Sequence, residues 1–137
     1  MKKQTNKLML LTASVILFSL INFNSKSACA QNWSSWSQFK MSDCYKGISY
    51  RFRERSTSTD KNQVQVEIKN SYTKGISIAF RITNNPEDKA IYRTDIASGD
   101  SYVTEQYVDK GVPFHIIHHK MRFEGDKYGD PYRPCDR

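Results

Sequence analysis

The chain has 137 residues, 38% of them apolar and 26% charged, and carries a formal charge of +7. That length suits one globular domain. It holds no G-x-x-x-x-G-K-[ST] run and no G-x-G-x-x-G fingerprint, which argues against the common nucleotide-dependent chemistries.

Residues 1–30 read as a secretory signal peptide. Lys2, Lys3 and Lys7 form a positive head, residues 8–21 are apolar apart from Thr12, Ser14 and Ser19, and the stretch closes on Ala28-Cys29-Ala30. The apolar run is 14 residues long, short of the ~20 that a membrane-spanning helix needs. Cleavage after Ala30 is expected, giving a secreted or periplasmic chain from Gln31 with no transmembrane segment. The alternative is a lipid anchor on Cys29; Ala28 suits a lipobox, whereas Lys26 stands where a large aliphatic residue belongs. The mature domain is residues 31–137, 107 residues long. Loss of Lys2, Lys3, Lys7 and Lys26 lowers its charge from +7 to +3. The basic balance therefore belongs largely to the leader, and no nucleic-acid partner is expected. Cys44 and Cys135 remain, and an even pair in an exported chain points to a disulfide.

Residues 31–43 hold Trp33, Trp36 and Phe39 among serines. A spacing of three matches neither a strand nor a long helix, so the reading is a lead-in strand or one helical turn lying on the core. From Ile48 to Arg55 residues alternate, with Ile48, Tyr50 and Phe52 on one face and Arg51, Arg53 and Arg55 on the other. Val64, Val66 and Ile68, then Ile76, Ile78, Phe80 and Ile82, mark two more strands with one buried face each. Residues 70–75 between them carry turn chemistry suited to a reversal. Pro86 sits in a loop. Shorter strands follow at 91–96 and 102–108, and a longer one at 112–123, where Pro113 suggests an edge position. Residues 125–137 form an irregular tail that Cys135 pins to Cys44.

About six or seven short strands without a helix predict an all-β fold, a single antiparallel β-sandwich, with a small barrel as the other option. From Cys44 to Cys135 the strand count, alternation and turn spacing resemble the immunoglobulin-like or fibronectin-like sandwiches of small secreted bacterial proteins. The resemblance is general and carries no functional residues with it. The two cysteines lie near the ends of the domain, unlike the antibody-type bridge.

The candidate binding residues are Arg51, Arg53 and Arg55, three guanidinium groups about 7 Å apart on one strand face, together with Trp33 and Trp36. Guanidinium forks match sulfate, phosphate and carboxylate groups, and indoles offer flat faces to sugars or proteins. Glu67 or Glu54 is placed to neutralise part of that stripe. His115, His118 and His119 lie within five residues. On a strand, however, His115 and His119 are about 13 Å apart and His118 faces away, so they do not share one metal. Glu124, Asp126 and Asp130 do not fit an EF-hand loop. No serine sits in a G-x-S-x-G elbow. The expectation is a non-catalytic binding or envelope-associated module without a cofactor, its partner an extracytoplasmic protein or glycan. A small inhibitor or immunity-type protein is the first alternative, and a small secreted hydrolase the second.

Overall fold

A computed structural model describes residues 32–137. The leader-like stretch and Cys29 lie outside the described residues. Seven strands follow in order: β1 (Lys40–Met41), β2 (Ile48–Ser56), β3 (Lys61–Asn70), β4 (Ile76–Thr83), β5 (Tyr92–Ile96), β6 (Ser101–Asp109) and β7 (His115–Phe123). All pairings are antiparallel. One sheet has the order β1-β2-β3-β6 and the other β5-β4-β7. Among the described residues there is no helix, and so none long and apolar enough to cross a membrane.

Alternation explains which side chains meet. Val64, Val66 and Ile68 of β3 are completely buried, as is Ile48 of β2. They join Ile76, Ile78, Phe80 and Ile82 of β4, Ile96 of β5, Val108 of β6 and Met121 of β7 in one cluster that draws on both sheets. Rings link the two sheets directly. Phe80 of β4 lies 5.8 Å from Tyr102 of β6, and Tyr50 of β2 lies 5.2 Å from His118 of β7.

The stretch from Val64 to Ile82 does not close into a hairpin. β3 and β4 lie in different sheets, so residues 71–75 carry the chain across from one to the other. Asn70, fully buried, holds this crossing. Its Nδ2 donates to the carbonyls of Lys74 (2.8 Å), Ile96 (3.1 Å) and Ala97 (3.1 Å), and its Oδ1 accepts from the Tyr72 amide (2.9 Å). The same side chain thus ties the β3–β4 crossing to the turn that follows β5.

β7 changes face partway along. Between Ser77↔Arg122 and Ala79↔His119, two steps on β4 oppose three on β7, which is a bulge. Lys120 takes φ 54° there, a left-handed conformation uncommon for a residue with a side chain. His118 points inward before the bulge and Met121 after it, while His119 and Lys120 both face solvent. Had strict alternation continued from His118, Arg122 and not Met121 would point into the core.

Cys44 and Cys135 form the expected disulfide across 91 residues of sequence. The tail around it is docked as well. The Asp136 amide donates to the Cys44 carbonyl (3.0 Å), and its carboxylate accepts from the Lys46 amide (2.8 Å) and the Tyr72 hydroxyl (2.7 Å). Burial, and next to it this hydrogen bond to Asp136, pushes the Tyr72 phenol up to about 12.

Candidate functional site: a ladder of guanidinium groups and aromatic rings

Residues 33–39 are neither a strand nor a helical turn, and they do not lie on the core. They run along the free side of β2, where Ser34 and Ser37 each bond twice to its backbone. Their amides donate to the carbonyls of Glu54 (2.7 Å) and Phe52 (2.8 Å), and their hydroxyls accept from the amides of the same two residues (2.9 and 3.0 Å). Lys40 then opposes Tyr50 in β1. Three residues of this segment therefore match two residues of β2. Two strand residues rise about 6.7 Å, so the segment advances roughly 2.2 Å per residue, more wound than a strand. This is the physical reason for the spacing of three among both its serines and its aromatics.

The winding sends every third side chain over the outer face of β2, where Arg51, Arg53 and Arg55 stand. Trp33 lies 4.7 Å from the Arg55 guanidinium and 5.1 Å from that of Arg53. Trp36 lies 4.7 Å from Arg53 and 4.9 Å from Arg51. Phe39 lies 4.8 Å from Arg51 and 5.9 Å from the Lys69 ammonium. Rings and cations alternate in one continuous stack. Each such contact contributes about 0.5–1 kcal/mol when exposed and more when partly desolvated.

The guanidinium groups are also fixed from the side of β3. The antiparallel register places Arg51, Arg53 and Arg55 opposite Glu67, Gln65 and Gln63. The Nε atoms donate to the Glu67 carboxylate (2.6 Å) and to the Gln65 (2.8 Å) and Gln63 (2.7 Å) side-chain carbonyls. Glu67 neutralises Arg51. Glu54 faces away from the ladder, as the alternation of β2 requires. Arg53 and Arg55 have no carboxylate partner among the described residues, and the Nη groups of all three arginines make no hydrogen bond there. The carboxylate in the Arg53 row is Glu105, two strands away and thus about 10 Å distant.

The structure thus brings all five candidate binding residues, Arg51, Arg53, Arg55, Trp33 and Trp36, into one array. It adds Phe39, Lys69, Gln63 and Gln65, which the sequence reading did not include, and of the two glutamates named there it is Glu67 that meets the stripe. The signal for the Gln63–Gln65–Glu67 row was present, since a short β2–β3 connection sets Arg-Arg-Arg against Gln-Gln-Glu.

The histidines are not brought together. His115 and His119 are exposed, and His118 is buried against Tyr50. Burial, and to a smaller extent the neighbouring His119, lowers the His118 imidazole to about 4; its Nε2 has no hydrogen-bond partner. The acids of the tail are engaged locally. Asp126 pairs with Arg133, and Asp130 accepts from the Lys127 amide (2.9 Å). Among the described residues no three His, Cys, Asp or Glu side chains converge on a metal position.

Comparison of the chain with known protein families, with curated proteins and with solved structures gives no match.

Proposed function

We propose that the chain is an exported, non-catalytic binding module, an immunoglobulin-like β-sandwich whose ladder receives an anionic glycan. The observation that carries this reading is the state of Arg53 and Arg55. Indoles stand against their guanidinium groups and glutamines hold their Nε atoms, while no carboxylate among the described residues neutralises them. A preorganised guanidinium spends little conformational freedom on binding and offers its Nη edge to a sulfate or carboxylate in a fixed direction. Glutamine is a neutral partner, so it orients the cation without cancelling its charge.

The sandwich reading is supported by the core that both sheets share and by the order of the strands. Non-consecutive strands β3 and β6 pair in one sheet and β4 and β7 in the other, as in Greek-key connections. The disulfide and the leader-like residues 1–30 favour export.

The test is binding to immobilised heparin-type sulfated polysaccharide, with neutral dextran as the control. Retention on the sulfated chain that weakens as salt rises is expected. Combined R53Q and R55Q substitution should lower affinity by at least about tenfold. Equal retention on neutral dextran, or an unchanged salt of elution for the variant, overturns the reading.

A further inference from the structure

The outer face of the second sheet carries a separate cationic cluster that the ladder does not use. The β7 bulge turns Arg122 outward, opposite Ser77 of β4, and Arg93 of β5 stands one row away, opposite Ala79. The tail folds back over this face and lays the Tyr132 ring among the cations. The Arg122 guanidinium is 4.5 Å from the ring centre, Arg93 5.3 Å and the Lys120 ammonium 5.8 Å. None of these three cations has an ion-pair partner among the described residues, although all converge on one ring.

Their remaining hydrogen bonds go to neutral acceptors. Arg122 donates from Nη2 to the Asp130 carbonyl (2.8 Å). Arg93 donates to Ser77 Oγ and to the Lys120 carbonyl, both at 3.2 Å. The Nε of Arg122 is buried without any partner. A buried guanidinium N–H left unsatisfied is costly, and three like charges around one ring repel one another. The repulsion is relieved by one negative group.

A cleft is present where that group would sit. It has a volume of about 840 Å³ and is lined by Arg93, Arg122, Tyr128, Tyr132, Ile96 and Phe123, among others. Small-molecule sites generally occupy ~300–1,000 Å³ and combine apolar walls with a few convergent polar groups. Three carboxylates share the lining, Asp95, Glu124 and Asp126; Asp126 is paired with Arg133, and Asp95 and Glu124 restrict the site to a compact anionic group, since a long polyanion would meet them.

We propose that this cleft binds a small oxyanion-bearing molecule, its carboxylate or phosphate held by Arg122 and Arg93 and its body lying against Tyr132. The ligand differs from that of the ladder in being compact, and the site lies on the other sheet, so the two readings stand or fall independently. Arg122 supplies the fixed donor. Arg93 closes the pair from the neighbouring strand. Tyr132 provides the flat contact and keeps both guanidinium planes in place.

The test is a titration of the isotope-labelled protein with benzoate and, separately, with inorganic phosphate. The Arg side-chain Nε–H resonances are followed by nuclear magnetic resonance. Saturable displacement of the Arg122 Nε–H signal is expected with at least one of the two probes. Saturation by benzoate alone assigns a carboxylate with a flat body, and saturation by phosphate as well shows that the oxyanion suffices. R93Q, at an exposed position, should weaken binding by about tenfold or more, whereas K89Q, exposed and in neither site, should leave it unchanged. No saturable shift with either probe overturns the proposal, as does an R93Q titration that matches the parent protein.

Discussion

The Arg53 guanidinium sits 4.7 Å from the centre of the Trp36 ring, and 5.1 Å away on its other flank is the ring of Trp33. Neither indole comes from a strand. Both are delivered by a segment that advances three residues for every two of β2, so the rings fall between successive arginines. The array is a staple for residues 33–39, whatever else it contacts.

Removing one rung should therefore be felt in stability. Trp36→Ala deletes two cation–ring contacts and much of the apolar cover of Arg51 and Arg53. A loss of roughly 2–3 kcal/mol is expected, less than for a fully buried tryptophan. Arg53→Lys keeps the charge but not the planar fork or the Nε donor to Gln65, and about 1 kcal/mol should be lost. Thermal unfolding of both variants checks this. An unchanged midpoint for Trp36→Ala would mean that the ladder does not hold the segment.

Asn70 is the next point of leverage. Its Nδ2 donates to three carbonyls, one in the β3–β4 crossing and two at the end of β5 and the turn after it, and its Oδ1 accepts from one backbone amide. Asn70→Ala leaves those buried groups without partners, and about 3 kcal/mol of destabilisation is expected. Asn70→Asp should be at least as harmful at neutral pH, because it buries a charge facing carbonyl oxygens. Denaturant unfolding of the two variants is the measurement, and an Asp variant as stable as the parent would contradict this account of the crossing.

The strands were legible because their inner faces alternate cleanly. Val64-Val66-Ile68 and Ile76-Ile78-Phe80-Ile82 can bury only one way. The partnering of strands was not legible, since residues 70–75 have the composition of a reversal whether the chain turns back or crosses over. The deciding group is the Asn70 side chain, whose acceptors Ile96 and Ala97 lie far away in sequence. The five ladder residues could be picked out singly by type. Their convergence depended on the three-for-two winding of residues 33–39, which no strand or helix period describes. The cluster on Tyr132 was hidden for another reason. Simple alternation in β7 puts Arg122 on the wrong face, and only the bulge at Lys120 corrects it.

The disulfide closes nearly the whole described domain, and the chain-entropy argument gives about 4–5 kcal/mol for a loop of that length. Its native neighbours raise the consequence of losing it, because Asp136 and Arg137 bond to Lys46, Tyr72 and Ser42 only while the tail is held. C44S and C135S together should lower stability by about 2–5 kcal/mol and expose the tail to tryptic cleavage after Lys127. Mass mapping of limited digests, with and without reductant, gives the answer. A tail that stays protected after reduction would show that the hydrogen bonds suffice without the bridge.

His118 sets the expected pH dependence of folding. Its imidazole is buried beside Tyr50, and desolvation, helped slightly by His119 and opposed by Asp43, lowers it from 6.5 to about 4. Above pH 6.5 the group is neutral in both folded and unfolded chains and contributes no slope. Between pH 6.5 and 4 the unfolded chain binds a proton that the folded chain refuses, so stability falls as pH falls. The integrated loss is roughly 3 kcal/mol, at ~1.4 kcal/mol per pH unit. Below pH 4 this contribution is constant. Carboxylates take over there: Asp126, held low chiefly by Arg133, and Asp136, where hydrogen bonds from Tyr72 and the Lys46 amide outweigh the effect of burial. His118→Leu removes the titrating group together with its unpartnered Nε2, and should flatten the stability profile between pH 6.5 and 4. Denaturant midpoints at half-unit pH steps for both proteins provide the comparison. A parallel decline in the two profiles would assign the acid sensitivity to groups other than His118.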